Sequence, residues 1–464
     1  MNKEDINNGK VGLLPFYLEM YDEIMPEIRK GFEPFLDIIN DKFTSGGINV
    51  VRSEICRLSV EFEDAVNRFE KEDVDCILTI HLAYSPSLES VNTLVNTKLP
   101  IIILDTTRDE CFDSISQLMY NHGIHGVQDM CNLLLRRGKG FIIEAGHINS
   151  SEFVDKIVSH IKGTVIARKF KNARIAQVGT SFSGMGDFVV DNTVMEDLGI
   201  KVFKVLPNEI SKFMPEENDP MVLDEILKDI ERFDCSHLRP KQLESAVKTG
   251  LALRRWIEKE NIMAFTINFR AITKESGFTQ MPFLEICKAM GNGIGYAGEG
   301  DVITAALVGA LAQVLGDVSF IEMFCPDWKE NLIFISHMGE MNINLSENSA
   351  VLLEKEWSFT DASSPVCPSA CFKEGEALFV NLAPGPDNSF SLILSPVKMM
   401  GEMHRTSIGD GIRGWMKPKM PLPAFLKKFS EAGGTHHSAL VYGNPVEELK
   451  TFGKIMNWKI IEIN

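Results

Sequence analysis

The chain has 464 residues, with 47 Lys and Arg against 64 Asp and Glu, a formal net charge of −17, and 44% of its residues are hydrophobic. At roughly 100–200 residues per domain this length implies several domains, and the apolar fraction supplies cores large enough to exclude overall disorder. Strong acidity, with no concentrated Lys/Arg stripe to reverse it locally, argues against a nucleic-acid partner.

Nine Cys are spread thinly along the chain, which fits a reducing cytoplasm better than a disulfide framework. Cys367 and Cys371 flank Pro368 without a second cysteine pair, so a four-thiolate zinc site is not expected. The start, Met1-Asn2-Lys3-Glu4-Asp5, places acids where a signal peptide carries basic and apolar regions. No later run reaches ~18 uninterrupted apolar residues, so no membrane insertion is expected.

In chain order, the apolar runs at 11–14, 75–80 and 100–105 are rich in Ile and Leu and separated by helix-length intervals. That rhythm predicts a parallel sheet covered by helices, an N-terminal α/β domain over 1–170. A second cycle runs through 173–179, 201–206 and 262–267, with helices predicted over 221–232 and 240–259, giving a central α/β domain over 171–330. Beyond it, short runs at 332–335, 377–380 and 390–394 alternate with Gly, Pro, Asn and Ser, predicting a mainly antiparallel β domain or small barrel over 331–464. The expected class is therefore α/β, with two doubly wound parallel-sheet domains followed by a β-rich C-terminal domain.

The chemistry-bearing residues are scattered. Gly291 to Asp301 is a glycine-rich turn carrying Glu299 and Asp301 ahead of a predicted helix over 302–315. It lacks the Lys-Ser/Thr ending of a phosphate loop and the spacing of a dinucleotide fingerprint. Asp301 reads first as a helix cap, whereas Glu299 has no such ready explanation. Glu322 interrupts the apolar run 318–324, and His337 interrupts 333–340; polar groups in such runs need partners, either at strand ends, in structural pairs or in a site. His436 and His437 are adjacent, so their side chains point in different directions: one suits a metal, the other supports it or meets substrate. Two carboxylates and two imidazoles together suit a divalent ion such as manganese, with coordination positions left for sugar or water oxygens.

Four segments carry a resemblance: Gly298-Glu299-Gly300-Asp301 with Thr304-Ala305-Ala306-Leu307, Ser319-Phe320-Ile321-Glu322, Ser336-His337-Met338-Gly339-Glu340, and Ala432-Gly433-Gly434-Thr435-His436-His437. In order and spacing they resemble the L-arabinose isomerase family. The resemblance implies an aldose–ketose isomerase working through an enediol, with Glu299 and Glu322 as catalytic, metal-binding carboxylates and His337 and His437 as metal ligands. It assigns His436 to substrate as the neighbouring alternative ligand. It also matches His125, in His125-Gly126, to a substrate-reaching histidine supplied to a neighbouring subunit. It implies Mn2+, with Mg2+ or Co2+ as substitutes, a small-molecule sugar as partner and a homo-oligomer, with a hexamer as the expected stoichiometry. The chain departs from the family pattern at 16–21 and 323–328, which leaves the sugar open. A metal-dependent epimerase or lyase using the same carboxylates, and a non-catalytic sugar-binding protein, are the alternative readings.

Overall fold

The computed structural model describes residues 9–402 and 409–464; the acidic N-terminal pentapeptide lies outside the described residues. Two compact units emerge. One holds the described chain up to Arg168 together with Glu447–Met456, and the other holds Lys169–Val446 with Asn457–Asn464.

In the N-terminal unit the strands are β1 (Lys10–Phe16), β2 (Asn49–Arg52), β3 (Cys76–His81), β4 (Ile101–Asp105) and β5 (Ile142–Ala145). They form one parallel sheet in the order β2-β1-β3-β4-β5. The apolar runs that announced β1, β3 and β4 are nearly continuous because both sheet faces are covered there. Val11 and Leu13 of β1, with Leu78 and Ile80 of β3, join one core cluster, while Leu14, Phe16 and Ile77 join a second. The strand order reverses beside β1, where such sheets open a crevice at their carboxyl ends.

The second unit begins with β6 (Arg174–Val178), β7 (Lys201–Val205), β8 (Ala264–Ile267) and β9 (Gly295–Gly298), a four-stranded parallel sheet in the order β7-β6-β8-β9. The predicted helices appear as Pro220–Arg232 and Pro240–Glu260. Helix Val302–Leu315 is apolar on nearly every side and packs against β8, β9, β10 and β17, so it needs no polar face.

The remaining strands are β10 (Val318–Asp327), β11 (Leu332–Ser336), β12 (Val351–Glu354), β13 (Val366–Cys371), β14 (Gly375–Pro384), β15 (Phe390–Met400), β16 (Ile412–Pro418), β17 (His437–Tyr442) and β18 (Lys459–Glu462). They lie in the order β12-β13-β16-β11-β10-β17-β14-β15-β18, and a further pairing of β15 with β16 closes six of them into an antiparallel ring. Alternate residues Ala377, Phe379 and Ala383 of β14, with Ile393 and Val397 of β15, share one core, while Leu378, Val380 and Leu382 between them are buried on the other face, so β14 is covered on both sides. Among the described residues no helix is long and apolar enough to cross a membrane.

Candidate active site

Glu299 leaves the carboxyl end of β9, the end at which open α/β sheets place ligands. Its φ is +63°, a left-handed conformation that costs a non-glycine residue on the order of 1–3 kcal/mol and that concentrates at functional sites. The backbone pins it there. Glu299 N–H donates to Ile267 O at 3.1 Å, and its carbonyl accepts Phe182 N–H at 2.8 Å. The flanking glycines have steric reasons. A Cβ on Gly298 would stand 2.6 Å from Cε1 of His337, and one on Gly300, whose φ is +86°, would stand 2.6 Å from Ser181 Cα.

Glu322 and His437 are direct register partners across β10 and β17, and Glu322 is opposite Ser336 on β11, the residue before His337. Directly opposed residues share a sheet face, which sets Glu322 beside His437, and the β10–β11 hairpin carries His337 just past the end of β11, so this hairpin and distant β17 deliver Glu322, His337 and His437 to one neighbourhood. The His337 and His437 rings lie 5.6 Å apart, with Phe320 set edgewise to both, at 5.0 and 4.9 Å. Phe188 stacks on His437 at 5.2 Å.

Each imidazole is oriented by a carboxylate. His337 Nδ1 lies 2.8 Å from Glu340 Oε2, and Glu340 also accepts from Gly339 N–H at 2.8 Å and Tyr296 OH at 3.1 Å. Burial works against an ionised Glu340, but His337 and these donors outweigh it and lower its pKa. Burial likewise opposes a charged His337, and the charges of Glu340, Glu322 and Glu299 overcome it. His437 Nδ1 lies 3.0 Å from Asp301 Oδ2. His436 meets Asp187 twice, through its backbone N–H at 2.9 Å and its Nδ1 at 2.7 Å. Burial opposes protonation of His436 too, but the Glu299 and Asp187 carboxylates push its pKa up to about 9. The segment bearing both histidines is fastened by fully buried Asn381, whose Nδ2 donates to Thr435 Oγ1 and to His437 O, each at 2.8 Å.

With each Nδ1 engaged, the opposite ring nitrogens are left over. Nε2 of His436 and of His437 are both buried without a hydrogen-bond partner, and they stand 3.6 and 3.8 Å from Glu299 Oε2. These separations exceed a hydrogen bond yet stay below twice a metal–ligand bond of about 2.1 Å. The donor atoms of Glu299, His436 and His437 all lie within 4.8 Å of one another. A buried imidazole nitrogen left without a partner beside a carboxylate, as His437 Nε2 is beside Glu299, is what a divalent cation satisfies, so the residues present fit one. Burial tends to neutralise Glu299, but His436, His337 and His437 outweigh it and keep its pKa below the ordinary value.

Sequence reasoning missed Asp187, Asn381 and the second duty of Asp301, which caps helix Val302–Leu315 through Thr304 N–H and orients His437 as well. Glu340 stood in the quoted His337 segment, where a carboxylate three residues past a histidine was the available signal. His125 belongs to the N-terminal unit. It is exposed in the first turn of helix Ile124–Arg136, near Tyr84 and His122, whose Nε2 lies 3.0 Å from Tyr21 OH. A Cβ on Gly126 would come within 2.5 Å of His81 Nδ1 and of Ser85 Oγ, so that glycine answers to packing.

Two family models and several curated relatives match this chain. The L-arabinose isomerase central domain matches residues 177–317 and the L-arabinose isomerase C-terminal domain matches 317–459. An L-arabinose isomerase of Geobacillus kaustophilus is 23% identical over 406 residues, covering 84% of this chain and 80% of the relative. L-arabinose isomerase 2 of Clostridium acetobutylicum is 21% identical over 467 residues, covering 96% and 93%. The chain belongs to the L-arabinose isomerase family, as a divergent member.

Proposed function

We propose that this aldose–ketose isomerase works on a ring-opened aldose through an enediol, with a divalent cation, Mn2+ first, held by Glu299, Glu322, His337 and His437. The observation that carries the reading is the buried, unpartnered Nε2 of His437 facing the Glu299 carboxylate at 3.8 Å, with Glu322 next to His437 in register. When bound, the cation supplies Lewis-acid polarisation of the substrate carbonyl and orients its vicinal oxygens.

The reaction moves one hydrogen from C2 to C1 and one from O2 to O1, and the two carboxyls divide these transfers. Glu299, its pKa lowered by the surrounding imidazoles against the effect of burial, enters the cycle able to accept a proton; Glu322, in register with His437, is its counterpart. His436, its Nδ1 held by Asp187, turns Nε2 toward substrate oxygen. Phe188 and Phe320 exclude water from around His437.

In this reading residues 1–170, 171–330 and 331–464 form an N-terminal, a carboxylate-bearing central and a site-completing C-terminal domain. His125 meets the sugar of a neighbouring copy in a homo-oligomer. All nine cysteines are free thiols, which suits a reducing cytoplasm.

The test is metal-free protein resupplied separately with Mn2+, Mg2+, Co2+ or Zn2+ and offered a panel of aldoses and ketoses, L-arabinose included, with chromatographic identification of products. Metal-dependent appearance of a ketose from an aldose is expected. Release of a fragment, an epimer alone, or no turnover on any sugar with any ion overturns the reading.

A further inference from the structure

Beside the candidate active site, the sheet of β6 to β9 borders a cavity of about 270 Å³. Gln177 on β6 and Lys204 on β7 are direct register partners and line one side of it, with Val202 on the same sheet face. The loop after β6 and helix Asn192–Asp197 supply the other side. None of the proposed cation ligands lines this cavity, yet two of its walls meet them. Gly300 follows Glu299, and its carbonyl accepts Gln177 Nε2 at 3.0 Å and Ser181 Oγ at 3.3 Å. Phe188 stacks on His437 at 5.2 Å.

Polar groups on the lining are unspent. Gln177 is 7% exposed, and its Nε2 is engaged while its Oε1 accepts no hydrogen bond. An amide oxygen so far removed from bulk water calls for a donor inside the cavity. The Asp191 carboxylate makes no capping bond to the helix it precedes. Among the described residues the Asn192 side-chain amide and the Lys204 ammonium also have no hydrogen bond or ion pair.

We propose that this cavity is a second binding site, for a neutral monosaccharide, whose occupancy alters turnover through Gly300 and Phe188. The effect on turnover rests on the isomerase reading; the binding does not. Sites for drug-sized ligands run to about 300–1,000 Å³, so this smaller cavity suits a single sugar and is too small for a nucleotide or a peptide. Lys204 and Asp191 cancel in charge, so an anionic ligand meets repulsion as well as attraction. Sugar hydroxyls donate and accept at once, which matches a lining with acceptors on Gln177 and Asp191, a donor on Lys204 and both on Asn192. Buried Met195 and Val202 present apolar surface to the sugar's C–H face. A sugar that bonds Gln177 bears on the amide that holds the Gly300 carbonyl, one residue from the strained Glu299.

Calorimetric titration of full-length, Mn2+-loaded protein with L-arabinose, D-galactose and D-ribose tests this, with D-ribose 5-phosphate as the charged comparison. Wild type is expected to bind two molecules of at least one neutral sugar per chain, and D-ribose 5-phosphate more weakly than D-ribose. Lys204→Glu and Asn192→Ala, both at exposed positions, are expected to weaken one of the two sites about 10- to 100-fold, the usual effect of losing hydrogen bonds to charged or desolvated groups. His437→Ala keeps the cavity site, and His437→Ala combined with Lys204→Glu loses both. Wild-type turnover should depart from a single hyperbola as the second site fills, and Lys204→Glu should restore the hyperbola with kcat/KM unchanged. One sugar per chain in wild type, a second site untouched by either cavity variant, or tighter binding of D-ribose 5-phosphate overturns the second site. Hyperbolic wild-type turnover overturns its effect on the reaction. Two bound sugars without turnover on any sugar overturn the isomerase reading and leave the second site standing.

Discussion

Asp301 serves two masters: its Oδ2 lies 3.0 Å from His437 Nδ1, with neither side chain exposed, while its Oδ1 accepts Thr304 N–H at 2.9 Å. The two duties can be separated. Asn caps helices about as well as Asp, so Asp301→Asn keeps the helix start. It removes the anion that fixes the imidazole with Nε2 free. Mn2+ affinity should weaken about 10- to 100-fold, the usual effect of losing a ligand's supporting carboxylate. Calorimetric titration of metal-free protein measures this, and an unchanged Kd contradicts the assigned role.

Glu299→Gln and Glu322→Gln remove a proton acceptor while keeping shape. Turnover should fall on the order of 10²- to 10⁴-fold, the usual contribution of a positioned acid or base, with sugar binding less affected. Steady-state kinetics on protein whose metal content has been measured decides it. Near-normal kcat in metal-replete Glu322→Gln protein removes Glu322 from the proton-transfer scheme.

Gly298→Ala tests the steric fit beside the strained glutamate. The added carbon would stand 2.6 Å from His337 Cε1, and Glu340 holds that ring from the other nitrogen. Overpacking of this kind costs about 1–3 kcal/mol, and here a proposed ligand must give way. Both kcat/KM and the thermal midpoint should fall; a variant with wild-type values for both shows that the ring has slack.

The legible parts of the fold were those in which one strand announces itself. β3 and β4 are almost entirely buried, predominantly apolar runs because both sheet faces are covered, and Val302–Leu315 reads as a helix from composition and its Asp cap. Edge strands β2 and β5, four residues each with exposed or half-exposed positions, carry no such run. Closure of the ring through β15 and β16 depends on pairing across a chain separation that no local pattern records. At the site, Glu322 and His337 could be singled out because their polarity broke an apolar run, and His436 and His437 because they are adjacent. Asp187 could not, because an acid in a glycine-rich loop is unremarkable until His436 is seen beside it.

His81 gives the N-terminal unit a pH dependence of its own. Burial depresses its pKa from the ordinary 6.5 to about 3, and its Nδ1 lies 2.6 Å from Ser85 Oγ. The unfolded chain therefore binds a proton that the folded unit refuses. The stabilisation is complete above pH 6.5 and is lost as pH falls from 6.5 toward 3. Over that window His81→Asn should flatten the decline in unfolding stability by up to about 1.4 kcal/mol per pH unit. Urea midpoints of wild type and variant at several pH values measure the difference; parallel profiles mean that His81 takes up its proton without unfolding.

The most direct test of the central claim, one cation held by Glu299, Glu322, His337 and His437, is Mn2+ stoichiometry and affinity by electron paramagnetic resonance on metal-free protein. The account predicts one tightly bound Mn2+ per chain, lost or strongly weakened in His437→Ala and His337→Ala and retained in His125→Ala. Undiminished Mn2+ binding in both His437→Ala and His337→Ala contradicts it.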